Sequence, residues 1–249
     1  MALFKKPTLQ STSTGEGSGQ YRPLLDAGMY NARILKVIDL GIQPGSQTYP
    51  EPKPKMEIEF ELQDEFMCDK EGKPLEGVPA VFSMELSYSE DGFIGEKSNL
   101  YKFYQAINPE MTLSPEEWLG LPVAVMLITK KRKSGKHAGE EYSNVSGVAP
   151  MKQKDIARAT PLVNKPAYFD LSEPVLEVFQ ELTKGNQYAQ QDKIKAAHNY
   201  GSSPLPELLG EPVPQSEPEP EQPQGVEQEG QPKPSEGVTE VDPSDDPFA

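Results

Sequence analysis

The 249-residue sequence holds one cysteine, two histidines and one tryptophan, and its longest purely apolar run, residues 123–128, has six members. A lone Cys68 excludes an internal disulfide and any CxxC metal site. His137 and His198 stand 61 positions apart with no ligand spacing around either, so no metal and no cofactor is expected. Six apolar residues fall far short of the roughly 20 that a membrane helix needs. No apolar stretch follows the opening MALFKK, so no signal peptide is expected. The expectation is a soluble, cytoplasmic protein that does not bind membranes.

Proline and acid are plentiful: 26 prolines, and a formal charge of −15. Both concentrate at one end. From Gly210 to Ala249 there are eleven Asp/Glu against the single Lys233, with nine prolines and five glutamines. Large apolar residues are too few there to offset ordering entropy, and this predicts a disordered tail over 204–249. Residues 1–20 are small and polar enough to read as a flexible leader.

Between these ends the periodicity is informative. Residues 29–39 and 80–88 are rich in β-branched and long apolar side chains. Residues 55–62 alternate strictly, with Met56, Ile58, Phe60 and Leu62 on one face and Lys55, Glu57, Glu59 and Glu61 on the other. That is the period of a half-buried strand, whose carboxylate face is expected to meet solvent. Leu100, Phe103, Tyr104 and Ile107 then form one stripe of a helix over 96–107. Ser114-Pro115-Glu116-Glu117 signals a second, short helix start. Residues 122–131 and 142–149 supply two more strands.

The order β-β-β-α-β-β is that of the OB-fold, a five-stranded Greek-key barrel. The expected fold is therefore mainly β with helices: a closed barrel over 21–150, then a linker and helical appendage over 151–203. That appendage either packs on the barrel or serves as a dimerisation element, making a homo-oligomer. Phe60, Phe82, Phe103 and Tyr104 are assigned to the core.

Lys130, Lys131, Arg132, Lys133 and Lys136 put five cations in seven positions between the last two strands, in an otherwise acidic chain. The bland alternative is a solvated hairpin tip. In an OB-fold, however, this loop and the one joining the first two strands flank the oligonucleotide groove. The latter carries Tyr49, Lys53 and Lys55. Phosphate tracking by these cations together with Arg33 and Lys36, and base stacking on Tyr49, Tyr88 and Tyr142, would suit single-stranded DNA. Tyr30 and Tyr88 fit either core or platform. No nucleotide-binding loop, Ser/His/Asp set or nuclease carboxylate cluster is credible, so an enzyme is not expected.

Residues 27–43 (AGMYNARILKVIDLGIQ), 119–125 (LGLPVAV), 142–150 (YSNVSGVAP), 168–171 (YFDL), 176–179 (LEVF) and 193–195 (KIK) together resemble a family of phage-encoded OB-fold single-stranded DNA-binding proteins. The resemblance spans about residues 27–200 and implies a replication or recombination accessory in the cytoplasm of an infected bacterial host. The terminal Asp245-Asp246-Pro247-Phe248 resembles the tail of bacterial single-stranded DNA-binding proteins, which docks on replication and repair partners. Here Ala249 follows Phe248. Such a tethered polyanion would also compete with DNA for the groove. A protein–protein adaptor or inhibitor built on the same barrel is the second reading, because a fold does not fix its ligand.

Overall fold

The computed structural model describes residues 19–45, 49–133 and 137–211. The expected leader up to Ser18, Lys136 and the partner-binding residues Asp245, Asp246, Pro247 and Phe248 lie outside the described residues. Six strands form one sheet: β1 (Gly28–Gln43), β2 (Lys53–Cys68), β3 (Pro74–Ser87), β4 (Pro122–Lys131), β5 (Glu141–Pro150) and the short β6 (Ala167–Phe169). Helix α1 (Asn99–Ile107) and a 3-10 turn at Glu116–Trp118 intervene between β3 and β4. The strand order is β3-β2-β1-β4-β5, antiparallel throughout, while β6 adds to β1 in parallel.

The sheet is open, and the closed barrel expected from the element order is not formed. Among the described residues no ladder joins the edge strands β3 and β5. Residues 21–25 lie in this seam instead. Tyr21 and Cys68 exchange two backbone hydrogen bonds of 2.7 Å. The Ser143 hydroxyl on β5 accepts from the Leu25 N–H at 2.8 Å and donates to the Leu25 carbonyl at 3.1 Å. The leading segment thus pairs with the end of β2 and is tied to β5 through the Ser143 side chain.

β1 is a strand with two apolar faces, and two bulges make this so. Register shifts between Ile34 and Lys36 and between Asp39 and Gly41 move the alternation by one residue each time. Ile34 and Val37 therefore enter the first core, with Ile58, Phe60, Phe82, Phe103 and Trp118. Ile38 and Leu40 enter a second core on the other face. The second core is built by residues after the sheet: Phe169, Leu171, Phe179 on α3 (Leu176–Glu181), Leu182, Ile194 on α4 (Gln190–Lys195) and Leu205 on α5 (Leu205–Leu208). A four-residue helix α2 (Gln153–Ile156) precedes them. Leu205 is completely buried, so folded structure extends past residue 204, where the sequence places the start of the tail.

The appendage packs on the outer face of β2, and this corrects the expectation of a solvated carboxylate row. Glu57, Glu59 and Glu61 are 6 %, 6 % and 1 % exposed. Gln190 Nε2 donates to Glu57 at 3.0 Å and to Glu59 at 2.7 Å. Glu61 accepts from the Val163 and Asn164 N–H groups and from Asn164 Nδ2 at 2.7–2.9 Å. Lys193 Nζ meets Glu57 at 2.8 Å and Glu85 at 2.9 Å.

This clamp carries a pH dependence. Burial would raise the Glu85 carboxyl, but the hydrogen bonds and charges of Lys193 and Lys55 outweigh it and hold the group below its ordinary range. A depressed carboxylate pKa stabilises the fold above the unfolded-state value and loses that contribution as pH falls through the folded one. The melting temperature is expected to fall below about pH 4. In a Lys193→Met variant that acid limb should flatten, which differential scanning calorimetry would read directly.

Candidate nucleic-acid interface

The β4–β5 hairpin presents its cations by strand register. Lys130 pairs with Tyr142 and Lys131 with Glu141. The Arg132 N–H donates to the Glu140 carbonyl and the Gly139 N–H to the Arg132 carbonyl, each at 2.9 Å, so the hairpin extends past the ladder. The Arg132 guanidinium lies over the Tyr142 ring, 5.3 Å from its centroid. Such a contact is diagonal across the pair and joins a cation to a π face. Lys130 and Lys133 are exposed. Lys131 meets Glu141 at 3.7 Å, but with the lysine 72 % exposed the pair contributes at most about 1 kcal/mol and leaves the cation available. His137 Nδ1 sits 3.0 Å from Glu140, occupying the other acid of the loop.

Two groups that the sequence did not single out join this surface. A cleft of about 420 Å³ beside the hairpin is lined by Arg22, Ser83, Arg132, Lys133, Tyr142 and Tyr188 among others. Arg22 comes from the seam segment, with its guanidinium 5.7 Å from the Phe82 ring centroid. Burial pushes its pKa down and the nearby Glu59 and Glu57 push it back up. Tyr188 comes from the appendage and is 74 % exposed. No spacing in the sequence connects residues 22, 142 and 188. Only the packing of leader and appendage on the sheet edges does.

The remaining expected DNA contacts are placed differently. Arg33 donates to the Gly120 carbonyl at 2.6 Å, to the Thr160 carbonyl at 2.6 Å and to the Ala159 carbonyl at 3.2 Å, so its guanidinium fastens the linker. Lys36 pairs with the buried Glu59 at 3.1 Å, and Lys55 with Glu85 at 3.3 Å. Tyr88 donates its hydroxyl to Asp39 at 2.8 Å. Burial first, then the charge of Asp39, raise its pKa. These four side chains are engaged by partners within the fold, and Tyr88 also stands on the wall of two adjoining clefts at this end of β1. Lys53 and the 71 % exposed Tyr49 do reach solvent. Lys53 pairs with Gln43 at one end of β1, however, whereas Leu127, leading to the basic hairpin, pairs with Gly28 at the other. The two loops therefore stand at opposite ends of β1, and the β2 face between them is covered. Tyr30 is half-buried and donates to the Asp26 carbonyl at 2.9 Å.

No family model matches the chain, and no curated protein matches it. No helix among the described residues is long and apolar enough to cross a membrane.

Proposed function

We propose that this chain is a sequence-nonspecific single-stranded DNA-binding protein, acting without catalysis in phage DNA replication or recombination. The observation that carries the reading is the Arg132–Tyr142 stack set among Lys130, Lys131 and Lys133, with Arg22 and Tyr188 alongside. Cations track phosphates and rings accept unstacked bases, a combination suited to single strands of any sequence. The site is one edge of an OB-like sheet, with the hairpin in place of a groove between two loops. The acidic tail recruits replication or recombination partners and competes with DNA for the cations.

Anisotropy of a labelled oligo-dT, titrated at low and moderate salt with duplex as competitor, tests this. Tight binding that duplex does not displace is expected. The triple variant Lys131→Glu, Arg132→Glu, Lys133→Glu should lower the salt slope by about 2, at roughly 0.7 per lost phosphate contact. An unchanged slope sinks the assignment to the hairpin. Removing the tail should tighten binding at low salt. The cut belongs after Val213, because Glu211 accepts hydrogen bonds of 2.6 Å from Lys195 and Tyr200.

The second reading, a protein–protein adaptor, draws support from the other end of β1. There Tyr88 is tied to a carboxylate, and the β2 face is closed by the appendage. It predicts no oligonucleotide binding at any salt, with or without residues 214–249.

A further inference from the structure

The cleft of about 420 Å³ beside the basic hairpin has no acidic side chain among the described residues of its wall, in a chain whose net charge is −15. Arg22, Arg132 and Lys133 line it, together with Tyr142 and Tyr188.

Of the three cations, Arg22 stands out. Lys133 is exposed, and Arg132 rests over the Tyr142 ring. The Arg22 guanidinium is half-buried over Phe82, and among the described residues it makes no ion pair and no hydrogen bond. The acids whose charge it feels, Glu59 and Glu57, are held by Lys36 at 3.1 Å and by Lys193 at 2.8 Å. Its nitrogens are not sealed in the core. Trp118 Nε1 is the one sealed side-chain polar atom without a partner among the described residues, so the guanidinium reaches the cleft that Arg22 lines. The segment is also pinned on both sides of it, by the Tyr21–Cys68 hydrogen bonds before and the Leu25–Ser143 pair after. Holding a guanidinium half-buried without a partner costs free energy. An oxyanion that offers two oxygens at once to its rigid fork of donors would recover it.

We propose that this cleft binds a terminal phosphate, the phosphomonoester at the end of a DNA single strand, an inference that rests on the single-strand reading and adds an end to it. Charge and shape both favour a monoester over an internal diester. A diester carries one charge and a sugar on each side. A monoester carries about −1.5 to −2 near neutral pH and has a single substituent. Internal phosphates can follow the exposed Lys130 and Lys131 without entering the cleft. A terminal phosphate enters it: Arg22 grips two oxygens, Arg132 and Lys133 add charge, and the last base lies against Tyr142 or Tyr188. The carboxylate of an acidic peptide would bring one charge and no base for the tyrosines. The same chemistry is offered by a 5′- and by a 3′-phosphate.

Internally labelled oligo-dT is prepared with a 5′-phosphate, with a 3′-phosphate, or with hydroxyls at both ends. Each form is titrated with the full chain at moderate salt. At least one phosphorylated form is expected to bind about tenfold tighter than the hydroxyl-ended strand, and the tighter of the two identifies the end. Arg22→Gln should bring that ratio close to one. Arg22→Lys keeps the charge but loses the fork, and should retain only about threefold. The ratio in the unaltered chain does not depend on either variant folding. Equal binding of all three strands, or a ratio that survives Arg22→Gln, overturns the proposal and leaves the single-strand reading in place. Binding confined to a phosphorylated strand keeps the end site and sinks the tracking of internal phosphates by the hairpin. Binding of none of the three overturns both.

Discussion

Glu61→Ala is expected to destabilise the protein by about 3 kcal/mol, measured as the loss of unfolding free energy in urea. Glu61 is 1 % exposed and gathers three donors from a loop about a hundred residues downstream: the Val163 N–H, the Asn164 N–H and Asn164 Nδ2. Each buried donor left unmade costs about 1–3 kcal/mol. Val163 itself is 63 % exposed, so water reaches part of this loop and the total stays below the simple sum. Glu61→Gln keeps one acceptor oxygen but turns an amide toward N–H groups, and should cost roughly half as much. A loss under 1 kcal/mol for the alanine variant would mean that the loop repacks without this anchor.

Glu61 also marks the boundary of what the sequence reveals. Strict alternation over residues 55–62 identifies the strand and sorts its faces correctly: Met56, Ile58, Phe60 and Leu62 all enter the first core. Alternation says that a face is polar. It does not say what lies on that face, because Gln190, Lys193 and Asn164 occupy unremarkable sequence more than a hundred residues away. The solvated reading of Glu57, Glu59 and Glu61 failed for that reason. Burying them requires a donor for each, and the appendage supplies those donors.

The same limit explains the seam and the site. The order β-β-β-α-β-β matches an OB-fold, yet closure depends on whether the edges of β3 and β5 meet or admit residues 21–25. No local propensity decides that. β6 is three residues long and pairs in parallel, so it has neither periodicity nor a turn to announce it. The cationic hairpin was legible because five charges in seven positions need no tertiary information. Tyr142 was legible because it opens the next strand. Lys36 and Arg33 looked equally basic on paper, but the bulge after Ile34 sets Lys36 opposite Glu59, and the linker carbonyls claim Arg33. A cation's availability depends on its partners, and these are distant in sequence.

Gly41→Ala should cost about 3–5 kcal/mol, more than a turn glycine ordinarily does. Gly41 has φ +70°, a left-handed conformation that costs a residue bearing a Cβ roughly 1–2 kcal/mol. The added methyl would also lie 2.5 Å from Asn199 Oδ1, 2.7 Å from Leu171 Cδ2 and 2.9 Å from Ala197 Cβ. Asn199 has no room to retreat without loss, because the same oxygen accepts the Ile42 N–H at 2.8 Å. The Ile42 carbonyl in turn accepts from His198 at 2.9 Å. Gly77→Ala is the matched control: its φ is +76° with open space around the Cβ, so it should lose only the conformational cost. The difference between the two variants isolates the docking of the appendage on β1. Limited proteolysis should then cut Gly41→Ala within residues 170–205 while the first core persists, and leave Gly77→Ala intact. Because Tyr188 reaches the basic cleft from this appendage, the proposed function adds a second consequence. Gly41→Ala should weaken oligo-dT binding about tenfold through the lost stacking ring, with its salt slope unchanged since every hairpin cation remains in place.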